Sequence, residues 1–200
     1  MTNYKTARII PIAVVLIITA IAIAGLVALT RIVFFSGNNG NVSPNDTSKE
    51  VLLSASSDRM VSLTVRGRIV ANETFRSYQI QITPNQRTFT TFKGYLDQPI
   101  DNVSLTNNVP AYEQLVYALY RANLIKGTEL TGDNNDLRGV CANGMVYEFK
   151  VLKAGKLIKQ LWTSSCPNAR GSLNAKVGQL NNLFIDQIPS ARSLIGKLWQ

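Results

Sequence analysis

The 200-residue chain contains no histidine, only two cysteines, and charged residues at only 16% of positions. Without histidine, the commonest general base, proton shuttle and metal ligand are all missing. Zinc sites of the HExxH type and Ser-His-Asp or Cys-His catalysis are therefore excluded within the chain. No serine sits in a GxSxG elbow, and no SxxK ends a convincing active-site helix. With no CxxC present, the cysteines do not form a redox dithiol, and two thiolates alone do not complete a zinc site. No cofactor is expected.

What is present begins with a long apolar run. Ile9 to Thr30 is 22 residues without a formal charge, and as a helix it would span about 33 Å, the thickness of a bilayer core. Lys5 and Arg8 precede it and Arg31 follows it. That balance favours an amino terminus in the cytoplasm and the remainder outside, across the plasma membrane. Pro11 falls in the first turn, where its missing donor costs little. Ile32 to Phe35 prolong the run. The alternative is a secreted protein whose signal peptide is cleaved near Ala22-Ile23-Ala24. Ala20, Ala24 and Ala28 recur every four residues, a spacing that also lets membrane helices approach closely and form oligomers.

Residues 1–35 thus read as a cytoplasmic tip and transmembrane anchor. Residues 36–50, rich in glycine, asparagine and serine, read as a flexible polar linker. Residues 51–200 read as one extracytoplasmic domain, large enough for a single core. The formal charge of the whole chain is +9, and +6 of it lies beyond Ser36. An excess of that size suits anionic lipid, an anionic envelope polymer or an acidic protein. Nucleic acid is disfavoured by the compartment and by the lack of a basic helix or zinc motif.

Outside a cytoplasm, Cys141 and Cys166 read as a disulfide. Between them Met145–Val151 alternates like a strand, Lys153-Ala154-Gly155-Lys156 supplies a turn, and Leu157–Thr163 returns. A turn centred on Ala154 and Gly155 brings the cysteines close to opposite each other, so the bond would clip the open end of a hairpin. Val61, Leu63 and Val65 alternate with polar residues and carry the pattern through Gly67-Arg68 toward Ile69. Tyr78, Ile80 and Ile82 repeat it, and Thr88–Lys93 forms a third strand. On that reading Arg66 and Arg68 share the polar face of an antiparallel sheet.

Asn108 and Pro110 open a helix with Leu115, Val116 and Leu119 on its buried stripe, ended by Gly127. After Ser172, the residues Leu173, Val177, Leu180, Phe184 and Ile188 recur at helical spacing. Pro189-Ser190 restarts the chain into a short apolar face of Leu194, Ile195, Leu198 and Trp199. The order predicts an α+β fold, its antiparallel sheet packed by two or three helices.

Several residues invite functional readings. Tyr112, Tyr117 and Tyr120 surround the first helix and, with Arg66, Arg68 and Trp199, are candidates for an interaction surface. Trp162, beside the disulfide, belongs to the core. Asp133, Asn135 and Asp136 gather oxygen donors, but Leu137 and Arg138 stand where a calcium loop needs a ligand and a glycine. Asp97 and Asp101 flank Pro99. A paired-carboxylate or Ser-Lys hydrolase is the enzymatic alternative, and a subunit of a membrane assembly is a further one. Asn45, Asn72 and Asn102 each open a glycosylation triplet. The leading expectation is a non-catalytic, membrane-anchored binding or envelope-associated protein that recognises a protein or an anionic envelope component.

Overall fold

A computed structural model describes residues 47–200. The expected anchor at residues 9–30, the alanine stripe and most of the linker lie outside the described residues. Chain order is α1 (Ser48–Leu53), β1 (Arg59–Arg66), β2 (Arg76–Ile82), β3 (Gln86–Lys93), β4 (Gln98–Thr106), α2 (Val109–Arg121), a short 3-10 turn (Gly132–Asn135), β5 (Val146–Lys153), β6 (Lys156–Ser164), α3 (Val177–Ile185) and α4 (Ala191–Leu198).

The six strands form one antiparallel sheet in the order β4-β3-β2-β1-β5-β6. The expected α+β class holds, with a sheet twice as wide as the three strands read before the hairpin would give alone. The hairpin joins those strands through β1, where Leu63 faces Ile80 on one side and Phe149 on the other. Strand alternation puts Val61, Leu63, Val65, Ile80, Phe89, Phe149 and Leu161 on one face. Leu52, Leu115, Leu119, Leu180, Phe184 and Leu198 from the four helices pack on that face in a single core. The opposite face carries Ser62, Thr64, Gln79, Thr90, Glu148 and Lys150, in cross-strand register.

Several boundaries differ from the sequence reading. The folded part starts at α1, inside the expected linker, because Val51 and Leu52 insert into the core. β1 stops at Arg66 rather than running to Ile69: Gly67 N still donates to Arg76 O (3.0 Å), but Ile69 N bonds Ala142 O (2.8 Å) instead of a strand. α2 ends at Arg121, with Asn123 at φ 65°, well before Gly127. Gly127 instead bridges Leu173, which holds Leu173 out of α3. β4, where the sequence pattern offers no strand, includes Pro99. Proline lacks a ladder donor and is tolerated there because β4 is an edge strand.

The hairpin turns at Ala154 and Gly155, both left-handed (φ 50° and 73°), as a two-residue turn of the primed type demands. Lys153 faces Lys156 as expected, and the register then shifts so that Val151 faces Lys159. The Cys141–Cys166 bond is formed, with the Cα atoms 5.6 Å apart. It closes the end of the hairpin where Met145 N donates to Ser165 Oγ (2.8 Å). Gly144 is required there, since a Cβ would lie 2.2 Å from Ser165 Oγ and 2.8 Å from Cys141 Sγ. Trp162, Cys141 and Val146 form a small second core around the bond.

Candidate functional site

A cleft of about 650 Å³ opens at the end of the sheet where β1 ends and β2 and β5 begin. Its walls come from Gly67, Arg68 and Val70 after β1, Thr74 and Arg76 at the start of β2, Asn143–Met145 before β5, and Lys197–Gln200 at the end of α4. Trp199 sits over Gly67: a Cβ on that glycine would stand 2.6 Å from the indole ring and 3.0 Å from Arg76 O. The indole also meets Tyr78 edge-on, with centroids 6.5 Å apart. Tyr78 in turn donates its hydroxyl to Asn181 Oδ1 at 3.0 Å. Burial pushes the Tyr78 phenol far above its ordinary value, and nearby Tyr147 adds to the rise, so Tyr78 stays neutral. Residue 67 therefore has to be small, which lets the C-terminal helix lay its aromatic end on the sheet.

Three cations line this cleft, and no aspartate or glutamate side chain does. Arg76 Nη1 donates to the carbonyls of Glu73 (2.8 Å) and Phe75 (2.9 Å), which fixes the guanidinium and leaves its other donors without a partner among the described residues. Arg68 and Lys197 are exposed and have no hydrogen-bond or ion-pair partner among the described residues. On the polar face of the sheet two cations are committed. Arg66 and Lys150 hold Glu148 at 3.0 and 2.8 Å, and Gln160 Nε2 donates to the same carboxylate at 2.9 Å. Burial drives the Glu148 carboxyl up, but Lys150 and Arg66 more than offset this and leave it below its ordinary value.

Of the residues singled out from the sequence, Arg68 and Trp199, far apart in the chain, meet in the cleft. Arg66 does not line it: its guanidinium is held by Glu148 on the polar face of the sheet. Tyr112 is not a surface residue: it is 1% exposed, on the same helical stripe as Leu115, Val116 and Leu119. Its phenol is likewise pushed up by burial, with Arg59 pulling the other way. Tyr117 is exposed, and Tyr120 is half-buried beneath the Lys49 ammonium, 5.1 Å from the ring centroid. Sequence reasoning missed Gly67, Arg76 and Lys197. Glycine between two arginines after a strand was a signal for the first, whereas nothing in spacing linked Lys197 to β2.

The remaining candidates are placed separately. Asp136 gives both carboxylate oxygens to Arg138, which pulls its carboxyl down to about 2. Among the described residues no group of three or more acidic or sulfur ligands is arranged for a metal. Asp97 accepts from the Ser77 hydroxyl and Asp101 from the Thr91 hydroxyl, each at 3.4 Å, so each carboxylate serves its own neighbour. Asn72 accepts from Tyr95 N (3.0 Å), and Asn102 Nδ2 donates to Thr90 Oγ1 (2.8 Å), so both side chains hold local structure. A second cleft of about 460 Å³ shares Gly67 and is walled by Ile69, Phe75, Tyr95, Leu137 and Val140.

No protein-family model matches the chain, and no curated protein matches it. The residues themselves therefore carry the functional argument.

Proposed function

We propose that the domain is a non-catalytic binding module that recognises an anionic ligand in the Arg68, Arg76 and Lys197 cleft, and that residues 9–30 anchor it to the plasma membrane with the domain outside. The observation that carries this reading is a cleft with three cations and no side-chain carboxylate. Cations gathered in one cleft without a side-chain carboxylate raise the local positive potential, and an anion is attracted to it. Trp199 supplies a rigid flat wall, which suits a bulky oxyanion such as a phosphate ester on an envelope polymer.

Calorimetric titration with inorganic polyphosphate tests the reading. Replacing Arg68 and Lys197 by glutamate should weaken binding at least about tenfold, since each charged hydrogen bond contributes about 1.5–3 kcal/mol. Equal affinity of wild type and the double variant would reject the cleft. Protease accessibility of residues 47–200 in intact cells tests the orientation, and protection of that segment would reverse it.

A further inference from the structure

The second cleft opens on the polar face of the sheet where β1 ends, and its walls come from two segments. The first comprises the start of β2 and the β3–β4 turn. Tyr95 and Leu96 leave that turn apolar and exposed, and Tyr95 is the one that reaches the cleft. Its ring stacks on Phe75 at 4.1 Å, and its hydroxyl donates to Val70 O at 2.7 Å. The second segment is the loop that supplies Leu137 and Val140, fixed by the disulfide at Cys141 and by the bond from Ile69 N to Ala142 O. At about 460 Å³ the space is of small-molecule size, a class that runs from roughly 300 to 1,000 Å³.

Four charged side chains line this cleft: Arg66, Asp97, Asp136 and Arg138. Asp136 and Arg138 close on each other. Arg66 and Asp97 do not pair; each is held instead by a buried polar residue. Arg66 Nη1 donates to Glu148, which is 3% exposed, at 3.0 Å, and its Nε and Nη2 have no hydrogen-bond partner among the described residues. Asp97 accepts from the fully buried Ser77 at 3.4 Å. Ser77 is the cross-strand partner of Arg66, so a carboxylate and a guanidinium stand near one another in the cleft, unpaired and beside an aromatic stack. We propose that the cleft binds a zwitterionic aromatic α-amino acid, its carboxylate on Arg66, its ammonium on Asp97 and its ring against Phe75 and Tyr95. The charge pattern selects this ligand. An apolar acid would satisfy Arg66 and be repelled by Asp97, and an apolar amine would meet the reverse. A neutral apolar molecule would desolvate both ions without replacing their water. A polyanion meets the same conflict at Asp97, so this ligand differs from that of the first cleft.

Calorimetric titration of the full-length chain with L-phenylalanine tests the proposal. 3-Phenylpropanoate, phenethylamine and N-acetyl-L-phenylalaninamide keep the ring and remove the ammonium, the carboxylate or both charges. Phenylalanine should saturate at millimolar concentration or below, and each analogue should bind at least about tenfold more weakly. Asp97→Asn suits the left-handed backbone there (φ 52°), and it should weaken phenylalanine binding about tenfold while leaving 3-phenylpropanoate binding no weaker. No saturable binding of phenylalanine, equal affinity for any analogue, or an unaffected Asp97→Asn overturns the proposal. Arg68→Glu with Lys197→Glu, which disables the first cleft, should bind phenylalanine as the wild type does. Loss of binding in that variant would place the amino acid in the first cleft and overturn the assignment, whereas polyphosphate titration of Asp97→Asn reads the first cleft on its own.

Discussion

Glu148 shows how single residues set this structure's limits. It is 3% exposed on the face of the sheet that the helices leave uncovered, between Arg66 and Lys150. Glu148→Ala would strand two cations and cost about 1–3 kcal/mol, read as a lower urea midpoint. Its carboxyl titrates lower in the folded protein than in the unfolded chain. Its stabilisation is therefore fully present above the unfolded value and is lost as pH falls through the folded one. Glu148→Gln should flatten the acid limb of a stability-versus-pH curve, and an unchanged limb would place the acid sensitivity elsewhere. At Gly67, alanine would drive its Cβ into the Trp199 ring. Gly67→Ala should shift the tryptophan emission and lower the melting temperature, whereas a silent substitution would mean that Trp199 does not rest there.

At the scale of elements, the disulfide and the first helix make separate contributions. Closing a 25-residue separation stabilises by roughly 3–4 kcal/mol in the chain-entropy model. Replacing both cysteines by serine should lower the denaturation midpoint by an equivalent amount, and an unchanged midpoint would show that β5 and β6 need no clip. Leu52 in α1 is fully buried, so Leu52→Ala should cost about 2–5 kcal/mol. Elements with clean periodicity were legible in the sequence: β1, β2, the β5–β6 hairpin with its turn at Ala154 and Gly155, and α2 from its Asn108 cap, which accepts from Ala111 N at 2.9 Å. β4 was hidden because its pattern, half-buried only at Val103 and Leu105, is that of an edge strand interrupted by proline. Leu173 fitted the helical period yet lies in a bridge to Gly127, since a long-range backbone pairing overrides local spacing. Tyr112 was misread for the opposite reason: its place three residues before Leu115 marked it as buried, but its hydroxyl suggested a surface role.

The folded domain, residues 47–200, divides its labour by face and by end. One sheet face buries the helices, the other carries hydrogen-bonded polar rows, and one end gathers the basic cleft and the exposed apolar turn. Arg68 and Trp199 were individually legible as surface candidates, but their meeting depends on where α4 docks, which no local pattern encodes. Arg76 and Lys197 join them only in the folded chain. The most direct test of the anionic-ligand reading is nuclear magnetic resonance of the two indole N–H groups and the arginine Nε–H groups during polyphosphate addition. Trp162 is buried by the disulfide and serves as an internal reference. The account predicts that Trp199, Arg68 and Arg76 shift together and saturate while Trp162 stays still. Shifts confined to other arginines, or none at all, would contradict it.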